Sequence, residues 1–278
     1  MLRSDDPKAL AYNPPAPVKC TYCGKLRPFE GYEYAGGVAW FDPIPCDCEE
    51  AKKAIKAERE AAELERLKEL RRERVRRIKT LLGETGPSKR FKRCSFWNFY
   101  ATGANATAAE VAEKYTERFL RVNLENEDRN GLLITGPVGT GKTHLAAAIA
   151  NRLIEQEIPV IFLNAVDLLD RIKATWDGSA RAQEDSILKI YKNADLLIID
   201  DLGKEQASEW AVSKIYQIIN ARYEDLKPVI ITTNYTQAEL IERLTPKGGD
   251  RKTAEATVDR ILEMAYTLPL AGTSHRQK

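Results

Sequence analysis

The chain has 278 residues, 43% of them hydrophobic and 30% charged, with a formal net charge of +2. That length accommodates one α/β domain of roughly 150–200 residues with a smaller module beside it. No apolar run approaches the roughly 18 residues that cross a bilayer, and the opening MLRSDDPKAL lacks the basic-then-apolar profile of a secretory signal. The expectation is a soluble, cytoplasmic protein with no membrane partner.

Residues 1–50 are rich in Pro, Gly and aromatic side chains and hold four of the five cysteines, as Cys20-x-x-Cys23 and Cys46-x-Cys48. In a cytosolic chain such pairs point to a metal rather than to disulfides. Four thiolates are the count for tetrahedral Zn²⁺, with no open position, so the ion is structural. The segment up to Trp40 and Phe41 has the makings of a small hairpin. The C-x-C pair is less usual than C-x₂-C, and free buried cysteines are the alternative; against them, a stretch this poor in aliphatic residues otherwise lacks a core. Cys94 reads as a small core residue.

Glu49 to Leu82 contains no Gly or Pro and is built from strong helix formers. Its apolar stripe is thin, so the helix is long and mostly solvated. From Lys52 to Arg93 there are 16 Lys and Arg against 7 Asp and Glu. That surplus suits nucleic acid or an acidic protein surface, or else a solvated charged helix. Gly83-Glu84-Thr85-Gly86-Pro87 ends the segment.

Beyond Gly131, apolar strands alternate with amphipathic helices. Strands are expected at Gly131–Thr135, Pro159–Leu163, Leu196–Asp200, Pro228–Thr233 and Tyr266–Leu270. Helices are expected at Thr143–Glu157, Val166–Thr175, Glu209–Tyr223, Gln237–Leu244 and Thr257–Met264. This alternation requires a parallel sheet with helices on both faces.

Gly136-Pro137-Val138-Gly139-Thr140-Gly141-Lys142-Thr143 matches G-x-x-x-x-G-K-[ST] between a strand and a helix. Such a loop points successive backbone N–H groups into an anion nest at a helix N-terminus. Lys142 adds a point charge for the β- and γ-phosphates of ATP, and Thr143 a hydroxyl ligand for Mg²⁺. His144 simply starts the helix. The strand Leu196–Asp200 delivers acids beside this loop, Asp200 to hold Mg²⁺ and Asp201 to orient the attacking water. Helix N-capping is the bland role for Asp201. Asn234 closes the fourth strand, either as a turn residue or as an amide reaching the γ-phosphate or the water.

In this order, the phosphate loop (GPVGTGKTHLAAAIAN), the acid pair (LLIIDDLG) and the strand-end Asn, with SFWNF upstream, resemble the AAA+ superfamily. The resemblance is strongest to replicative helicase loaders of the DnaC/DnaI type, with IstB-type transposition helpers as near relatives, and it runs from about Arg90 to the C-terminus. It implies an ATPase in which Arg260 is an arginine finger reaching a neighbouring subunit's nucleotide, and hence a homo-oligomer. Arg276 is implied as a sensor contacting the subunit's own nucleotide. For either arginine a surface salt bridge is the plain alternative. Asp201 stands where many AAA+ members carry Glu, which suits a slow switch.

The implied architecture is α/β: a zinc-binding module at 1–50, a charged helical linker at 51–88 and an AAA+ P-loop domain at 89–278. The implied function is ATP-dependent loading of a hexameric replicative DNA helicase onto single-stranded DNA in replication initiation. By position, the module at 1–50 grips the helicase. Lys173, Trp176 and Arg181 are candidate DNA contacts or an ordinary surface loop. The alternatives are a transposition helper, or a nucleotide-binding adaptor with little hydrolysis.

Overall fold

The computed structural model describes residues 1–101, 103, 105–121, 127–174, 180–272 and 274, the side chains of 180–182 excepted. The chain divides into two compact units, Met1–Glu69 and Leu70–Lys278.

In the first unit, β1 (Leu2–Arg3), β4 (Phe29–Tyr34) and β5 (Gly37–Pro43) form an antiparallel sheet, while β2 (Val18–Lys19) pairs with β3 (Leu26–Arg27). The β4–β5 hairpin is the one the sequence suggested. Its register sets Tyr32 opposite Ala39 and Tyr34 opposite Gly37. With so few aliphatic residues, the apolar centre of this unit is Cys20, Cys46 and Ala51, with Cys48 packed against them. The long helix α1 (Glu49–Leu82) matches its expected bounds. Ile78 and Leu82 near its C-terminus join the core of the second unit.

The second unit is built on β6 (Gly131–Thr135), β7 (Val160–Asn164), β8 (Leu196–Asp200), β9 (Val229–Thr233) and β10 (Ala265–Pro269). All pairs are parallel, in the order β10-β6-β9-β8-β7. Side chains alternate across a strand, so the continuous apolar runs feed two cores. Leu132, Ile134, Ile198 and Ile230 face α2 (Ala106–Arg121) and α3 (Lys142–Glu155). Leu133, Ile199 and Ile231 face α4 (Ala165–Lys173), α5 (Ala180–Asn193), α6 (Glu209–Glu224) and α8 (Lys252–Met264), with α7 (Gln237–Leu244) closing that core. Helices on both faces are what a fully buried parallel sheet requires.

The sequence pattern missed α2 and α5. The buried face of α2 is Ala108, Ala112 and Thr116, with Tyr115 and Phe119 packed against the same core. In α5 the apolar residues are confined to the second half, around Leu188 and Tyr191. Helix α8 starts five residues before its expected N-terminus, because Ala254 packs into the core without looking apolar enough to count. None of the helices is long and apolar enough to cross a membrane, among the described residues.

Candidate functional site

Strand β6 ends at Thr135 and the chain turns through 136–141 into α3. Gly136 (φ +145°) lies where an added Cβ would be 2.1 Å from the Leu270 carbonyl oxygen. Gly141 (φ +100°) lies where a Cβ would be 2.6 Å from the Phe99 ring. Both need the left-handed backbone and the missing side chain. Gly141 heads α3 with no side-chain cap, so the positive end of the helix dipole faces the turn, where an anion is favoured. Lys142 is buried, and its Nζ donates to the carbonyls of Gly136 and Pro137, both at 2.7 Å. The ammonium is therefore held within the loop. Thr140 is also buried and closes the loop by donating to Pro137 O at 2.9 Å.

Strand β8 brings up both acids, and β9 brings the threonine that meets them. The Thr143 hydroxyl donates to Asp200 Oδ1 at 3.0 Å, and the Thr232 hydroxyl donates to the same oxygen at 2.6 Å. Burial pushes the Asp200 carboxyl above the usual carboxylate range, and the charge of Asp201 adds to this. A buried carboxylate next to a threonine hydroxyl is a hard-oxygen donor set of the kind Mg²⁺ prefers. These residues fit the metal and the triphosphate together.

Asp201 does not cap a helix. It occupies a left-handed turn (φ +59°), its N–H donates to Thr232 Oγ1 at 2.8 Å, and its carboxylate takes Lys204 Nζ at 2.6 Å. The next helix is capped by Ser208 instead. Asp201, Lys204 and Asn234 line a cleft of about 420 Å³ with Val138, Gly139, Lys142 and Thr143. Arg90, Phe91 and Cys94 form its other wall. A wider groove of about 1140 Å³ runs between the 205–209 turn and α7. It contains no phosphate-loop residue and is lined by Glu205, Glu209, Glu239 and Glu242, so chemistry rather than size selects the smaller cleft.

The family described as IstB-like ATP binding protein matches residues 62–278. The chain belongs to this family. Among its relatives, the replicative helicase loader DnaC of Buchnera aphidicola subsp. Schizaphis graminum is 27% identical over 198 residues, covering 70% of this chain and 74% of that protein. The replicative helicase loader DnaC of Escherichia coli K12 is 31% identical over 163 residues, covering 58% of this chain and 63% of its own. A crystal structure of the DnaC helicase loader superposes with a TM-score of 0.55 at 30% identity, covering 66% of this chain and all of that one (100%). A crystal structure of DnaI superposes at 0.55 and 24% identity, over 68% of this chain and 94% of that one, and supports the fold alone. The AAA+ sheet expected from the sequence is the sheet observed.

In this IstB-like ATP-binding protein Arg260 lies on α8, away from its own chain's nucleotide cleft. Its Nε donates to Asn220 Oδ1 at 2.5 Å, and its guanidinium stacks over Tyr216 at 5.1 Å. Arg276 and Trp176 lie outside the described residues, as does the Arg181 side chain. Lys173 stacks over Trp210 at 5.2 Å. His144 does more than begin α3: its Nε2 is 3.0 Å from Ser95 O and its ring meets Phe99 edge-on at 5.4 Å. Cys94 is half-buried against the core, as expected, and also borders the cleft.

No motif in the sequence marks Thr232, Arg90 or Phe91 as lining the site. Thr232 stands inside the Thr-Thr-Asn run that ends β9. Arg90 and Phe91 precede the phosphate loop by more than forty positions, and no local pattern links them to it.

The IstB-like chain also brings its four paired cysteines together, with all four sulfurs within 4.8 Å of one another. Cys23 and Cys46 Sγ lie 3.4 Å apart, and Cys20 and Cys48 Sγ 3.9 Å apart. The Cys20–Gly24 turn is closed by Gly24 N–H donating to Cys20 O at 3.0 Å. The N–H groups of Cys23 and Tyr22 hold the Cys20 thiol down at about 6. The Ala51 N–H favours a Cys48 thiolate, but burial and the other three thiols outweigh it and push Cys48 up to about 12. Four thiolates this close repel one another and coexist only around a cation. The cluster is compatible with zinc.

Proposed function

We propose that this chain is an ATP-dependent helicase loader, which binds a hexameric replicative DNA helicase and helps place it on single-stranded DNA during replication initiation. The reading is carried by one coincidence. The cleft of Lys142 and Thr143, with Asp200 hydrogen-bonded to Thr143, lies within residues 62–278 matched by the IstB-like ATP-binding family, in a chain that resembles a DnaC helicase loader structure at 30% identity.

ATP supplies the scissile phosphoryl bond, and Mg²⁺ neutralises charge on its oxygens. Residues 136–143 bind the triphosphate, with Lys142 on its terminal phosphates. Thr143 and Asp200 hold the metal. Asp201 and Asn234 orient the attacking water, and the Thr232 hydroxyl fixes the position of both acids. Arg260 acts on the nucleotide of a neighbouring copy in a homo-oligomer, where its permanent charge stabilises the transferring phosphoryl group. Arg276 is assigned to the subunit's own nucleotide. Residues 1–50 form a zinc module on Cys20, Cys23, Cys46 and Cys48, 51–88 a helical linker and 89–278 the ATPase.

Co-purification of the full chain with the host's hexameric replicative helicase, with and without ATP, tests the reading. A nucleotide-dependent complex supports it. No complex under either condition contradicts it. The family match favours a second reading, a transposition helper; in that case a transposase replaces the helicase as the co-purifying partner.

A further inference from the structure

Trp97 is 94% exposed, the most exposed of the chain's described large aromatic side chains. Nothing in the fold requires an indole there, and burying one is normally strongly favourable. The turn that carries it is nevertheless held firmly. Ser95 N–H donates to Asn98 Oδ1 at 2.9 Å, Asn98 N–H donates back to Ser95 Oγ at 3.3 Å, and Asn98 Nδ2 donates to Arg93 O at 2.7 Å. From beneath, Asn151 on α3 donates to the carbonyls of Phe91 and Cys94 at 2.9 and 2.8 Å. Phe99 is buried against Gly141 of the phosphate loop. The indole is thus preorganised on a rigid turn bolted to the nucleotide site.

The surroundings are cationic. Lys89, Arg90, Lys92 and Arg93 are all exposed, and the sequence contains no acid from Ser88 to Ala109. Lys92 reaches Glu84 at 3.6 Å, whereas no ion pair is found for Lys89 or Arg93 among the described residues. An exposed ring amid unopposed cations fits a polyanion that also carries stackable faces. Duplex DNA hides its faces in base pairs, and an acidic peptide has none, so single-stranded nucleic acid satisfies both features.

We infer that the Lys89–Tyr100 segment is a single-strand docking surface, with Trp97 stacking on a base and Lys89 and Arg93 meeting phosphates. The choice of DNA as the polymer rests on the loader reading. The surface differs from the Lys173–Arg181 region suggested by the sequence. Through Phe99 it also touches the phosphate loop directly, so a strand held here adjoins the nucleotide.

The test is fluorescence anisotropy of a fluorescein-labelled 20-mer oligo(dT) with the full chain at several salt concentrations, with an equal-length duplex as comparison. Trp97→Ala should weaken oligo(dT) binding about tenfold, while Trp97→Phe, which keeps a ring, should retain most of it. The Lys89→Ala/Arg93→Ala double variant should lower the slope of log affinity against log salt by about 1.4. All three variants should bind nucleotide as the parent does, since none of these residues lines the cleft. Parental affinity for oligo(dT) in Trp97→Ala and in the double variant overturns the proposal, as does a parent that binds no oligo(dT). So does a variant that keeps DNA but loses a protein partner, which marks a protein-docking surface instead. Helicase co-purification unaffected in these variants leaves the loader reading standing whichever way the DNA result falls.

Discussion

The Thr232 hydroxyl donates to Asp200 Oδ1 at 2.6 Å while accepting the Asp201 N–H at 2.8 Å. One side chain on β9 therefore holds both acids at the end of β8, the one proposed for metal and the one proposed for water. The chain of bonds passes through a fully buried oxygen, so its loss cannot be made good by solvent.

Thr232→Val keeps the shape and removes both bonds. It should leave nucleotide affinity within a few-fold and lower turnover by about tenfold or more, because the acids lose their common anchor. The part-buried Asp201 N–H, left without Thr232, should cost about 1 kcal/mol of stability. Steady-state hydrolysis alongside thermal melts checks both, and unchanged turnover in Thr232→Val contradicts the role.

The phosphate loop, the acid pair and the five strands were legible in the sequence because each is a local pattern with a local cause. Gly-x₄-Gly-Lys-Thr bends backbone, and four apolar residues before an acid make a buried strand that ends at the site. Thr232 was not legible, since its role comes from parallel pairing of β8 with β9, a contact between residues about thirty apart. The wall formed by Arg90 and Phe91 depends on Asn151 clamping a loop from sixty positions away. The four-cysteine cluster was legible from the Cys-x-x-Cys and Cys-x-Cys spacings, and the β2–β3 and β4–β5 pairings bring Cys46 back to Cys23.

Arg260 should act between subunits. Its contacts with Asn220 and Tyr216 keep it away from its own cleft, so Arg260→Ala should spare ATP binding in dilute protein. In the assembled form hydrolysis should fall on the order of 10³-fold. Equal loss of turnover at all protein concentrations contradicts action across an interface.

Glu205 provides a pH test. It is buried, its Oε2 accepts the Gly203 N–H at 2.9 Å, and burial raises its carboxyl above the ordinary 4.5. Between that value and its raised folded value the native state binds more protons than the unfolded one, so its contribution to stability falls as pH rises through this window. Glu205→Gln removes the titration. The variant should melt above the parent at pH 7–8, and the advantage should shrink as pH is lowered towards 4.5. A pH-independent difference contradicts the assignment.

Removing the metal should act on the first unit alone. Treatment with a strong chelator, or Cys46→Ser, should release one zinc per chain and abolish ordered structure around Cys20–Cys48, since that cluster is the unit's apolar centre. Binding of ATP by residues 70–278 should survive. Elemental analysis with circular dichroism reads the outcome, and a chain purified with no zinc but a folded first unit contradicts it.

The account depends most on ATP and Mg²⁺ occupying the turn between β6 and α3, facing Asp200. Titration calorimetry of the full chain with Mg²⁺ and a non-hydrolysable ATP analogue measures this directly. One nucleotide should bind per chain, and Lys142→Ala should abolish the heat. A parent that binds no nucleotide, or a Lys142→Ala variant that binds as tightly as the parent, contradicts it.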